Sequence, residues 1–294
     1  MYPYLFGIKY LNMYGLCIGI GVILCLNFLS YGCKKLKIPS KFENFVFYNA
    51  IISIACGILS GMLFQSFYDW IDALETNPDA KFEFGTMGIT FLGGLIGGVV
   101  IFLSVYFLYG RKKYGAYLIR LLPIAACCIL VAHGFGRLGC LCYGCCYGET
   151  FEGAHAFAIH FPEQRLWNHD TGSWYTRSGL WAYPTQLYES MFLLATFGVC
   201  AFLTIKKKYK YTMNIYLIVY GIFRFFIEFI RGDDRGQIFR GFPLSPSQFW
   251  AIIMVIIGIA LYFILPYIIK KFNIDFDAEE VTEEAESEET AQTA

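Results

Sequence analysis

Seven apolar runs divide the chain, at residues 13–33, 43–68, 89–109, 115–138, 185–205, 212–230 and 247–269. Each is near the ~20 residues that an α-helix needs to cross a bilayer core. Polar stretches separate them. The pattern therefore predicts an all-α polytopic membrane protein with about seven transmembrane helices. The runs at 89–109 and 115–138 are the firmest, whereas Glu43, Asn44 and Asn49 soften the one at 43–68. The stretch FYDWIDAL that follows is amphipathic, and is expected along the outer membrane surface or in a solvated loop. Asn77-Pro78 marks a turn after it.

Basic residues sit between alternate runs. Lys34, Lys35, Lys37 and Lys41 follow the first run, and Arg111, Lys112 and Lys113 follow the third. Lys206, Lys207, Lys208 and Lys210 follow the fifth, and Lys270 and Lys271 follow the seventh. Loops rich in Lys and Arg stay cytoplasmic. The N-terminus is then outside and the C-terminus cytoplasmic. The acidic loop 69–88 and the long polar, aromatic stretch 149–184 fall outside, the latter as a small external head. Residues 1–272 read as one transmembrane domain, and the acidic 273–294 as a disordered cytoplasmic tail. The N-terminal stretch has neither the basic region nor the small-residue cleavage site of a removable signal peptide.

Composition sharpens the class. The chain is 57% hydrophobic and 16% charged, against about a quarter charged in soluble domains. Its net charge is zero, so nothing argues for nucleic-acid binding.

Candidate chemistry centres on HGFGRLGCLCYGCCYG, residues 133–148. Here an apolar run ends in His133 and Arg137 and is expected to break into glycines. An ionisable residue at membrane depth marks a functional site by default, and glycine lets backbone approach a ligand closely. His133 and Arg137 are four apart and share a face if the helix continues that far. A guanidinium near the interface can fork onto a phosphate, or simply snorkel. Arg224 and Glu228 are also four apart, in YGIFRFFIEFIRGDDRG, and must pair or face a wet cavity. Gln186 and Glu189 open the fifth run, where an acid also suits the helix dipole. Gly93, Gly94, Gly97 and Gly98 make a small-residue face that serves either close helix packing or a lipid headgroup. Tyr14 at the start of the first run is an interfacial anchor or a site residue. With alternating helix directions, Tyr14, these glycines, Arg137, Glu189, Arg224 and Glu228 all fall in the outer half of the membrane. That convergence suits one site for a phospholipid headgroup.

Eleven cysteines occur. Cys140, Cys142, Cys145 and Cys146 cluster as C-x-C-x-x-C-C, which fits no standard zinc spacing of two separated pairs. Packing, an outer-face disulfide and metal or redox chemistry all stay open for them. The scattered others read as small hydrophobes. His155, His160 and His169 are spaced irregularly, and surface or packing roles are expected.

The chain resembles the prolipoprotein diacylglyceryl transferase family. GRLGCLCYGCCYG is similar to that family's GRxGN…G stretch, GITFLGGLIGG to its HGGLIG motif, YPTQLYES to its H/Y-P-S/T-Q-L-Y-E motif, and YGIFRFFIEFIR to its YG-x-x-RF-x-x-E motif. The four occur in family order. The resemblance implies a multi-pass enzyme of the bacterial cytoplasmic membrane with an outer-face site. The reaction implied moves the diacylglyceryl group of phosphatidylglycerol to the lipobox cysteine thiol of a preprolipoprotein, releasing glycerol phosphate. Membrane lipid and lipobox peptides are the implied partners, and no cofactor or metal is expected. By motif, Arg137 would hold the phosphate, with Tyr220, Arg224 and Glu228 catalytic beside it. Tyr14, Gly93, Gly94 and Gly97 would line the substrate, as would Gly136, Gly139, Cys140, Gln186 and Glu189. Two positions depart: Leu92 replaces the HGGLIG histidine and Cys140 the GRxGN asparagine. A base for the acceptor thiol must then come from His133, Glu189 or Glu228, or the arginines must acidify the thiol. The departures also leave open another acceptor for the same lipid, or a non-catalytic lipid-binding or transport protein.

Overall fold

The computed structural model describes residues 3–8, 11–84, 90–115, 117–168, 173–232, 243–274 and 276. Among them, seven helices are long and apolar enough to cross a membrane. Their α-helical stretches are α1 (Met13–Lys35), α2 (Ser40–Thr76), α3 (Phe91–Val105), α4 (Tyr117–Tyr143), α5 (Thr185–Lys207), α6 (Thr212–Ile227) and α7 (Pro246–Lys271), the third span running on to Tyr114 and the sixth to Ile230. The chain divides into two compact units: residues up to Lys37 with those from Ile119 onward, and Ile38–Leu118.

The second unit is the pair α2 and α3. Its glycines are the packing surface. A Cβ on Gly93 would lie 2.5 Å from Phe64, one on Gly97 2.3 Å from Ser60, and one on Gly94 3.1 Å from the Gly57 carbonyl. Backbones this close add polar contacts. The Ser60 hydroxyl donates to the Gly93 carbonyl (2.9 Å), and the Asn49 amide to the Phe102 carbonyl (3.0 Å). Asn49, which softens its run as a sequence, is thus a buried interhelical donor. Helix α3 runs on through a π-helical turn, Tyr106–Gly110, to Tyr114. The stretch FYDWIDAL does not form a separate surface element: α2 continues through it to Thr76. The chain turns at Asn77, whose side chain accepts from the Asp79 N–H (3.1 Å).

The first unit stacks α1, α4, α5, α6 and α7 antiparallel in contact order. Gly32 near the end of α1 meets Ile124 near the start of α4, and Gly139 near the end of α4 meets Tyr14 at the start of α1. Arg120 is buried and donates to the Leu36 carbonyl (2.7 Å), closing the C-terminal end of α1. Ser190 of α5 donates to the Gly134 carbonyl of α4 (2.9 Å). Asn214 of α6 donates to the Gly258 carbonyl of α7 (2.8 Å). Ala126, Cys127, Leu130, Leu193, Cys200, Tyr216 and Tyr220 form the shared core, so Cys127 and Cys200 do act as small hydrophobes.

Two features differ from the sequence expectation. Helix α4 does not break at its glycines but continues to Tyr143. A Cβ on Gly134 would lie 2.9 Å from Leu194, and one on Gly139 3.0 Å from Tyr14, so these glycines permit close helix contact. The break comes at Gly144, where φ is +72°. The head is also built of strands. β1 (Thr150–Phe151), β5 (Leu180–Ala182) and β2 (Ile159–Phe161) pair antiparallel in that order, and β3 (Gln164–Asn168) pairs with β4 (Ser173–Arg177). His155 stacks on Phe151 (4.1 Å between centroids) and His160 lies against Trp181 (5.3 Å). Both are exposed and lie against aromatic neighbours within the head. His169 and the acidic tail from 277 lie outside the described residues.

Candidate active site

Because the five helices of the first unit alternate in direction, one end of that unit collects the start of α1, the end of α4, the start of α5, the end of α6 and the start of α7. The charged residues of those helices meet there.

Glu189 is the hub. It is 0% exposed, which a carboxylate tolerates only with partners. Its Oε2 pairs with Nε of Arg137 at 2.9 Å, and its Oε1 accepts from the Tyr220 hydroxyl at 2.7 Å. His133 Nε2 stands 3.6 Å from the same Oε1, and its ring meets Tyr220 edge-on at 5.1 Å. The α4 helix, unbroken to Tyr143, places His133 one turn before Arg137, so both reach one carboxylate on α5. Glu189 is the only ion-pair partner of Arg137 among the described residues. Engagement through Nε leaves the forked end of the guanidinium for another anion.

A second knot lies one helix over. Arg224 Nη1 pairs with Glu228 Oε2 at 2.7 Å. Its Nη2 donates to the Ser247 hydroxyl at 2.7 Å, and Ser245 donates to Glu228 Oε1 at 2.8 Å. Ser245 also caps α7, closing a capping box with Gln248. Sequence reasoning passed over both serines. The signal was present in LSPSQFW, a Ser-x-x-Gln cap preceding an apolar run.

The turn after α4 is clamped to α5. Gln186 donates to the Cys145 carbonyl (2.8 Å) and Thr185 to the Cys146 carbonyl (3.0 Å). Gln186 is thus buried as a support for the turn, and its side-chain oxygen has no hydrogen-bond partner among the described residues. Tyr14 packs over Gly139, two residues beyond Arg137, whereas a Cβ on Gly136 would meet nothing within 4 Å. Open space therefore flanks Arg137 on its helix. The Cys146 thiol is held below the ordinary thiol range by hydrogen bonds from the Cys140 and Cys145 thiols, helped by the Arg137 and Arg231 charges. The same contacts push the Cys145 thiol up. All eleven cysteines are free thiols.

This constellation joins two anion-capable guanidiniums, a histidine and a tyrosine in one apolar bundle. The profile of the prolipoprotein diacylglyceryl transferase family matches residues 3–264. The chain belongs to that family. It is 33% identical over 259 residues to the phosphatidylglycerol–prolipoprotein diacylglyceryl transferase of Clostridium tetani, covering 88% of this chain and 94% of the relative. It is 34% identical over 261 residues to the enzyme named transferase 2 of Clostridium perfringens, covering 88% and 92%. A Bacillus anthracis relative of the same name is 30% identical over 249 residues, 84% of each chain.

The residues that the motif resemblance singles out fall in both units of this diacylglyceryl transferase family member. Tyr14, His133, Gly136, Arg137, Gly139, Cys140, Gln186, Glu189, Tyr220, Arg224 and Glu228 all lie in the first unit. Gly93, Gly94 and Gly97 lie in the second, where their packing on α2 already requires glycine. Leu92 lies in the first turn of α3 in that unit.

Proposed function

We propose that this chain transfers the diacylglyceryl group of phosphatidylglycerol to the lipobox cysteine of a preprolipoprotein at the outer face of the bacterial cytoplasmic membrane. The observation that carries the reading is the Arg137–Glu189–Tyr220 knot, buried at one end of an apolar bundle in a chain of this family. The alternate-loop basic clusters support an outside location for that end.

In this reading the forked end of Arg137 takes the lipid phosphate, with Glu189 and, behind it, Tyr220 fixing the guanidinium. The acceptor sulfur attacks the glycerol carbon that carries the phosphate ester. An S–C bond forms, the C–O bond breaks, and its electron pair leaves on glycerol phosphate. Arg137, with Arg224 nearby in the same bundle end, stabilises that charge. The thiol proton goes to His133. His133 shares a helix face with Arg137 and stands 3.6 Å from Glu189 Oε1, and imidazole is the side chain that most often serves as a general base. Tyr14, Gly136, Gly139 and Cys140 border the lipid headgroup. A headgroup role for Gly93, Gly94 and Gly97 would come in addition to their packing.

The test is transfer of labelled diacylglyceryl from phosphatidylglycerol to a lipobox peptide by the purified protein. Label on the peptide cysteine, lost in Arg137→Ala, is expected. Lipid consumption with an unlabelled peptide would instead favour the second reading, another acceptor for the same lipid. The departures at Leu92 and Cys140 motivate that alternative. Activity that survives in Arg137→Ala would overturn the phosphate assignment.

A further inference from the structure

The thiols at the end of α4 are not used by the transfer chemistry. The Sγ atoms of Cys140, Cys145 and Cys146 all lie within 4.8 Å of one another. Cys142, the remaining thiol of the run, turns to Cys17 on α1 instead.

The surrounding backbone is built to hold that trio. The Cys145 N–H donates to the Cys140 carbonyl at 3.1 Å. Gln186 and Thr185 fix the next two carbonyls, as described above, and Arg177 donates to the Gly144 carbonyl at 2.8 Å. Cys146 is held at φ +62°, a left-handed conformation that side chains other than glycine and asparagine disfavour. That turn brings two successive thiols around to face Cys140. Cys140 is buried and the other two are half-buried, so the trio has an interior wall and an open side.

The number of sulfurs selects the ligand. A disulfide joins two sulfurs at about 2.05 Å and would strand the third. A tetrahedral d10 cation binds thiolates at about 2.3 Å, which spaces its sulfurs about 3.8 Å apart. We infer that Cys140, Cys145 and Cys146 form a three-thiolate site for a thiophilic d10 cation of the zinc class, with its fourth position open. On binding, Cys140 and Cys145 each release a proton to solvent, Cys146 binds as the thiolate it already is, and three sulfur–metal bonds form. With a divalent ion the complex carries one net negative charge. The guanidiniums of Arg137 and Arg231, close enough to act electrostatically on Cys146, offset it. The inference is independent of the transferase reading, since uptake is read on the metal without lipid or peptide.

The experiment uses full-length reduced protein in detergent, stripped with chelator and titrated with Cd2+. The readout is thiolate-to-metal charge-transfer absorption. One equivalent should saturate the signal. The signal should vanish in Cys145→Ser/Cys146→Ser and persist in Cys17→Ser/Cys142→Ser. X-ray absorption of the Zn2+-loaded wild type guards against misfolded variants, and should show three sulfurs at about 2.3 Å. A nitrogen- or oxygen-dominated shell would overturn the site. So would a Cd2+ signal that survives loss of Cys145 and Cys146, or a disulfide joining any of the three in unreduced peptide maps.

Discussion

Replacing Glu189 with Gln keeps the size of the hub and removes its charge. The wild-type carboxylate receives Arg137 at 2.9 Å and Tyr220 at 2.7 Å with no solvent access. A glutamine offers one oxygen, so it can satisfy one of those donors and must turn its own N–H toward the other. Breaking one side of a buried ion pair costs about 3–5 kcal/mol. The Arg137 side chain is 15% exposed, so some water can reach it, and the low end, ~3 kcal/mol, applies. Expressed wholly in the transition state, that loss lowers kcat/KM by about 150-fold. Expressed in the ground state, it lowers the melting temperature by several degrees.

A double-mutant cycle separates the pair from the rest. Glu189→Gln, Arg137→Gln and the combined variant are compared by thermal melts and by the transfer assay. The contact predicts a coupling of about 2–3 kcal/mol, because the second substitution removes the charge that the first leaves unpaired. Coupling below about 0.5 kcal/mol, with the two single effects simply adding, would refute the hub.

Three further outcomes follow from other parts of the first unit. Gly136→Ala adds a methyl to open space, so its melting temperature should match wild type while kcat/KM falls; unchanged kinetics would show that substrate does not use that space. Ser247→Ala removes a bond to a charged donor (2.7 Å) and should cost about 1.5–3 kcal/mol, measured by melting, with Ser247→Thr restoring most of it. In the reduced, metal-free protein, the lowered Cys146 pKa keeps its thiolate populated as pH falls, whereas the raised pKa of Cys145 keeps that thiol protonated. Iodoacetamide below neutral pH should therefore label Cys146 and spare Cys145, which peptide mass spectrometry reads directly.

The helices were legible because membrane spans are long and apolar, and length alone locates them. The ends were less so. The glycines of α4 read as a break, yet Gly134 and Gly139 are there for neighbours on α5 and α1, which no local pattern reveals. The same limit hid the head: strands of two to five residues carry too little periodicity to stand out in an aromatic loop. At the site, the pair Arg224–Glu228 was readable from its spacing of four. The contact between Glu189 and Arg137 was not, since 52 residues and a turn of the chain separate them. What pointed to it was topology, which put both near one face of the membrane.

Charge balance explains why this knot is stable before any lipid arrives. Glu189 and Glu228 meet Arg137 and Arg224 one to one, so with His133 neutral the bundle end carries no net charge from these residues. Each arginine spends only part of its fork on its carboxylate. Arg137 gives Nε to Glu189, and Arg224 gives one terminal nitrogen to Glu228 and the other to a neutral hydroxyl. A phosphate entering here brings negative charge to guanidiniums that are already oriented, and no protein carboxylate has to leave first. In the proposed reading, the departing glycerol phosphate carries more negative charge than the diester it came from, so the same preset donors interact more strongly with the product-like transition state than with the bound lipid. Neutralising either glutamate would strengthen anion binding in the resting state while loosening the arginine that must act on it. That is the reason to expect loss of kcat, with KM unchanged or lower, in Glu189→Gln.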